Sequence, residues 1–241
     1  LLKTALLDQL TAPLCDFVLE RDDSQQILLQ LEKTNLFLIP LDDQRQWFRY
    51  HHLFQDFLQQ QLTQRFEPDE IAEFHIAAGR WFAQNDWIEE ALHHFILVEE
   101  TTAAIELIAQ HRYRLMNETQ WPRLERWTSL FPSQVVESSA ELWMIKTWLV
   151  YQRGQWAELP GHLQHMADLL GQESDREIAS HLAGEISALR SLVAYHQTDA
   201  AGAISQARKA LEAVPPAFWI LRVFARLYLG AGLLMSGDEN G

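Results

Sequence analysis

The chain has 241 residues, 48% of them hydrophobic, enough to bury a sizeable core in one or two domains. Nineteen Lys and Arg face 33 Asp and Glu, a formal net charge of −14, and such a surface repels phosphate backbones, which excludes bulk nucleic-acid binding by the segment. The single cysteine, Cys15, excludes an intrachain disulfide; set among Ala12, Pro13, Leu14 and Phe17 it reads as a small buried hydrophobe, with a reducing, cytoplasmic setting following from it.

Helical periodicity dominates the chain. Leu2, Leu6, Leu7 and Leu10 form one apolar face, closed by Thr11-Ala12-Pro13, and predict a first helix. A second is expected from Pro13 to about Glu20. A third is expected behind Ser24 as N-cap, with Ile27, Leu28 and Leu31 turned inward. The period then changes. Leu36 to Leu41 is short and apolar, Asp42 to Gln46 is polar, and Trp47 to His51 is aromatic, the pattern of a β-hairpin. Helix resumes at Leu53 with Phe54, Phe57, Leu58 and Leu62 on one face. Three short helices, a hairpin and a further helix predict a winged-helix-like unit.

From about Pro68 onward no further strand is expected. Helical stretches break near Asn85-Asp86, Glu99 to Thr102, Thr119 to Pro122, Pro132-Ser133, Gly154, Gly171 to Asp175, Thr198-Asp199 and Pro215-Pro216. They pair as hairpins of roughly 30 to 45 residues, the length of helical repeats. Gly79, Phe82, Ala91 and Phe95 fit the tetratricopeptide spacing. Ala203, Ala207, Ala210 and Pro215 fit its second half, and Tyr151 with Gly154 suggests a degenerate unit. Small residues are needed at such places because two helix backbones approach closely there. The fold class is therefore mostly α: a winged-helix-like unit with one β-hairpin, then a helical arm and a tetratricopeptide-like α-superhelix. The expected boundaries are residues 1–65 for the winged-helix region, 66–130 for the arm and 131–241 for the start of the superhelical array.

No apolar run approaches the roughly 20 residues a membrane span needs. Leu1-Leu2-Lys3-Thr4 does not resemble a signal peptide, and both ends read as cuts through a longer protein. There is no G-x-x-x-x-G-K-[ST], G-x-G-x-x-G, G-x-S-x-G or H-E-x-x-H run, so no catalytic motif is assigned. Clustered, buried titratable groups in one pocket would be needed to argue for an enzyme. His51-His52 and His93-His94 are adjacent pairs that diverge on a helix, and His162 with His165 lacks a completing Cys or carboxylate, so no metal is expected. The nine tryptophans read chiefly as packing between stacked helices. Trp143, Trp148 and Trp156 crowd into one hairpin and are the candidates for a ligand groove.

The stretch Leu31 to Asp43, continued by Trp47-Phe48-Arg49-Tyr50-His51-His52-Leu53-Phe54-Gln55-Asp56-Phe57-Leu58, resembles the winged-helix region of MalT-like, LuxR-family ATP-dependent transcription regulators, which are STAND-class signalling NTPases. Lys3 to Leu10, Ala12 to Asp16, Phe74-His75 through Trp81-Phe82, and Glu89 to His94 extend the resemblance to about residue 95. It implies a parent with an N-terminal nucleotide-binding domain, this winged helix, a helical arm, a superhelical sensor and a C-terminal helix-turn-helix. The phosphate loop and the DNA-reading helices are not in this sequence, so neither hydrolysis nor promoter recognition is assigned to it. ATP or ADP is expected for the intact parent and no cofactor for this segment.

The resemblance also implies one site residue. Related STAND proteins carry a Met-His-Asp-like motif whose His contacts the ADP β-phosphate, and here His51 of Tyr50-His51-His52-Leu53 matches it, with His52 in place of the Asp. Expected partners are the nucleotide-binding domain of the same chain and a small-molecule inducer or regulatory protein, with no membrane. The alternative is a helical-repeat interaction scaffold without a nucleotide role. Direct DNA binding is not expected. Over residues 1–60, Lys3, Arg21, Lys33, Arg45 and Arg49 face Asp8, Asp16, Glu20, Asp22, Asp23, Glu32, Asp42, Asp43 and Asp56, a balance of −4.

Overall fold

A computed structural model describes residues 1–33, 37–172 and 176–237. Among them the chain forms thirteen α-helices, one short 3-10 turn and one two-stranded sheet. Backbone contacts divide it into two compact units, Leu1–Leu107 and Ile108–Gly241.

In the first unit the expected helix over Leu2 to Leu10 is not formed. Residues 2–6 make tight turns, and Leu10 instead pairs with Phe48 as an antiparallel bridge, each amide donating to the other's carbonyl at 2.7 and 2.9 Å. A helix this short is marginal by itself, and strand pairing with a distant segment outcompetes it. Its leucines are still used: Leu7 and Leu10 are fully buried. Helix α1 spans Ala12–Leu19, capped by the Thr11 hydroxyl accepting from the Leu14 amide, and ends on Glu20 in the left-handed region at φ 52°. Cys15 is buried in it, as expected, and burial pushes its thiol up to about 12.

Helix α2 spans Ser24–Lys33. Ser24 is not its N-cap. It lies inside the first turn, its amide donates to the Asp16 carboxylate at 3.0 Å, and the Asp23 carbonyl receives the Gln26 and Ile27 amides. Of the three residues expected inside, Leu28 is buried and Ile27 and Leu31 are half-buried.

The hairpin is present as β1 Leu38–Pro40 and β2 Phe48–Tyr50, antiparallel, with Leu38 opposite Tyr50 and Pro40 opposite Phe48. Leu36, its expected start, lies outside the described residues. The turn is shaped by Asp42, whose carboxylate accepts the Gln46 and Trp47 amides at 3.0 and 2.7 Å. Helix α3, His52–Arg65, is tied to the N-terminal turns by Gln55, which donates to the carbonyls of Ala5 and Leu7 at 3.1 Å each. Gln59 donates to Ala5 as well.

Helices α4, Pro68–Gln84, and α5, Ile88–Leu97, form the first helical pair. A capping box between Glu67 and Glu70 starts α4. The tetratricopeptide spacing is met in space: a Cβ at Gly79 would stand 2.6 Å from Cε1 of the buried Phe95. Helix α6, Thr101–Asn117, carries the boundary between the units.

The second unit begins within α6 and continues through α7 Trp121–Thr128, α8 Ser133–Ser138 and α9 Ala140–Gln152. Then come the 3-10 turn Trp156–Glu158, α10 Leu159–Gln172, α11 Arg176–His196, α12 Ala200–Ala213 and α13 Trp219–Ser236. Helix α9 is buried on every face, as a central helix must be. Helix α12 buries Ala203, Ala207 and Ala210 between α11 and α13. Its last carbonyls, Leu211 and Val214, accept from the Arg222 guanidinium at 2.8 and 2.7 Å. Helix ends at Glu20, Asp86, Glu99, Thr119 and Thr198 all use positive φ without glycine, so the breaks read from polar residues are left-handed stops. Of the expected break at Gly171 to Asp175, residues 173–175 lie outside the described residues.

The sequence shows no apolar run near the roughly 20 residues of a membrane span, yet among the described residues one helix comes close in length. Helix α13 is 18 residues long and, by length and composition, apolar enough to cross a bilayer. One face packs inward, with Leu221, Phe224, Ala225 and Tyr228 buried, while Trp219, Val223, Leu227 and Leu234 are exposed, and the helix carries Arg222 and Arg226.

Two glycines test the packing in opposite directions. Gly79→Ala should cost about 1–3 kcal/mol in chemical denaturation, because the buried Phe95 ring cannot move aside. Gly230→Ala, mid-helix with nothing within 4 Å of the added Cβ, should stabilise by about 0.5–1 kcal/mol.

Candidate functional site

The chain reversal at the end of the hairpin sets the position of His51. Its amide donates to the Phe37 carbonyl at 2.9 Å, and its own carbonyl accepts from the Phe54 and Gln55 amides at 2.9 Å. His51 is thereby the N-cap of α3, in extended conformation at φ −61°, ψ 133°, with no side-chain cap bond. Its imidazole stacks on that of His52 with ring centroids 4.5 Å apart, and among the described residues it makes no hydrogen bond. The first amides of a helix have no intrahelical acceptor and carry the positive end of its dipole. An imidazole at that end adds a donor for an anion.

The three tryptophans expected to share a groove have separate surroundings. Trp143 is covered by His162, stacked at 4.6 Å and 17°, by His165 edge-on at 4.4 Å, and by the Lys146 ammonium 4.5 Å above its ring. Its indole N–H donates to the His162 carbonyl at 3.0 Å. The i,i+3 histidines thus clamp an indole. Burial, then Lys146, lowers the pKa of His162. Trp156 is half exposed and rests on His196 at 4.9 Å. Trp148 is buried, yet its ring reaches a pocket of about 200 Å³ that Trp121, Tyr151, Phe224 and Leu227 also line.

Sequence reasoning missed two clusters. The first lies in unit one, where His75 Nδ1 and His94 Nδ1 are 2.8 Å apart and Phe82 stacks on His94 at 5.5 Å. Burial, then His75 and His93, lowers His94 to about 3, and burial, then His93, lowers His75. One ring must accept in that bond, so at least one of the two is unprotonated at Nδ1.

The second cluster lies in unit two. Arg112 is wholly buried, and its Nη1 and Nη2 donate to the two oxygens of Glu185 at 3.0 and 2.6 Å. The Trp148 indole and the Tyr113 hydroxyl also donate to Glu185, at 2.8 and 3.0 Å. Arg112 Nε lies 3.0 Å from Glu141 Oε2, an ion-pair distance whose angle falls short of a hydrogen bond. Burial opposes the guanidinium charge, but Glu185 and Glu141 outweigh it and hold its pKa above the usual range. These are clustered buried titratable groups, the feature an enzyme would need. They are spent on one another, however: Arg112 and Glu185 are closed off from solvent. The available signal was a charged residue at an apolar position of a helical pattern, Arg112 beside Ile108 and Leu115, and Glu185 beside Leu182 and Leu189.

A short bridge-supported hairpin among small helices, followed by paired helices, defines a winged-helix unit with a helical array. Residues 1–71 match the MalT winged helix domain family, and the chain is MalT-like. It is 30% identical over 239 residues, 99% of its length, to the HTH-type transcriptional regulator MalT of Cronobacter sakazakii. The chain spans 26% of that relative's length.

Two measurements check the missed clusters. Unfolded histidines take up protons near pH 6.5 while buried His75 and His94 resist. Stability should therefore be full above pH 6.5 and fall as pH drops from there towards about 3. His94→Phe should flatten that decline in pH-dependent thermal melts. Arg112→Met leaves two buried carboxylates facing each other and should cost about 3–5 kcal/mol, whereas the surface pair Arg153–Glu125 should cost under about 1 kcal/mol when broken.

Proposed function

We propose that this segment is a non-catalytic relay in an ATP-dependent transcription regulator, coupling inducer binding on the helical array to nucleotide state through the winged helix. The observation that carries the proposal is His51: an imidazole at the N-terminus of a 14-residue helix, fixed by the hairpin and without a hydrogen bond among the described residues. A β-phosphate oxygen presented by the nucleotide-binding domain of the same parent would complete it, accepting from the imidazole and lying at the positive end of the helix dipole. The bond holds only while ADP is bound in the closed state. Differential contact of this kind is what lets an inducer shift the equilibrium. The likeness to a named transcriptional regulator supports a regulatory role.

The scaffold reading is favoured by one observation. Trp219, Val223, Leu227 and Leu234 of α13 form an exposed apolar stripe, a surface on which a partner protein could pack. Saturable calorimetric binding of a small inducer separates the first reading from this one.

In the full-length regulator, His51→Ala should weaken ADP affinity by about 10- to 100-fold, the value of one charge-assisted hydrogen bond, with unchanged circular dichroism. Unchanged ADP affinity would overturn the sensing role. The hairpin turn should not read DNA either, since Asp42 is committed to its own backbone and Asp43 stands beside it. The isolated segment should give no mobility shift with duplex DNA at physiological salt. Micromolar, salt-sensitive binding would contradict this.

A further inference from the structure

We propose that the aromatic pocket at Trp148 is a binding site for a methylated ammonium group, the head of a small organic cation. Trp148, Tyr151 and Phe224 are mutually near-perpendicular: the three ring pairs cross at 89°, 80° and 88°, with centroids 5.8, 5.2 and 5.2 Å apart. All three line one pocket of about 200 Å³, with Trp121 as a further aromatic wall. Rings at right angles around a shared space form a corner. A pocket of this size keeps a group seated in it within the roughly 6 Å reach of a cation–π contact with the rings that line it.

Charge favours a cation over a neutral apolar ligand. None of the residues lining the pocket is a lysine, arginine or histidine, and beside the Gln152 amide the lining residues carry only the Tyr151 hydroxyl and indole N–H groups as polar groups. Behind the Trp148 ring, its indole N–H donates at 2.8 Å to Glu185, in a cluster where two carboxylates, Glu185 and Glu141, face the single guanidinium of Arg112. Donation to a carboxylate leaves the indole face richer in electrons, and the surplus carboxylate adds a negative field. A compact ammonium whose charge is spread over methyl groups suits this corner, because it loses little hydration on entry. A guanidinium or a primary ammonium would need more acceptors than the Gln152 carbonyl and the Tyr151 hydroxyl supply. The site is independent of the nucleotide-sensing role of His51.

The test compares choline with its neutral isostere 3,3-dimethylbutan-1-ol, by calorimetry and by tryptophan fluorescence on the whole chain. Choline should bind saturably and about tenfold more tightly than the alcohol. Tyr151→Leu and Phe224→Leu should each abolish that preference. Tyr151 is half exposed, so its variant remains folded even if replacing the buried Phe224 unfolds the helix pair. Equal affinity for both probes would show a plain apolar pocket and overturn the proposal. So would a choline preference that survives Tyr151→Leu, or no saturable binding of either probe.

Discussion

A guanidinium inside a protein has to find carboxylate oxygens in the geometry of its own fork, and the second unit is arranged around that requirement. Arg112 comes from α6, Glu141 and Trp148 from α9, and Glu185 from α11. Three helices are thus fixed in register by directional bonds, where apolar contact alone would let them slide. Replacing such a network with hydrocarbon is often neutral or stabilising, so its contribution lies in specifying one packing more than in net stability. Trp148 shows the consequence. Held by its N–H to Glu185, its ring is aimed at the pocket, and the aromatic corner with Tyr151 and Phe224 follows from the buried ions.

The first unit has a different organiser, the pairing of Leu10 with Phe48. That bridge ties the N-terminal turns to the hairpin, Gln55 and Gln59 tie the same turns to α3, and the hydroxyls of Thr4 and Tyr50 meet at 2.8 Å. His51 sits where the strand ends and the helix starts, so its position is dictated by both elements. Its backbone is therefore already fixed before anything reaches the start of α3.

What was legible in the sequence was what local chemistry decides. The hairpin followed from two short apolar runs around Asp42, and the helix stops from polar residues that tolerate left-handed φ. Gly79 and Phe95 were legible because a repeat spacing states which backbone must make room for which ring. The Leu2 to Leu10 stretch was misread because the competing partner, Phe48, belongs to another element. Arg112 and Glu185 stand 73 residues apart, and no periodicity connects them. His75 and His94 were hidden for the same reason, while Trp143, Trp148 and Trp156 are close in sequence but face different neighbours.

Amide exchange in the full-length regulator, compared between the ADP- and ATP-bound forms, tests the relay most directly. A phosphate held at the N-terminus of α3 occupies the amides that helix geometry leaves free. Exchange over residues 51–55 should therefore slow with ADP relative to ATP and be released on addition of inducer. Identical protection of that turn in both nucleotide states would contradict a relay through His51.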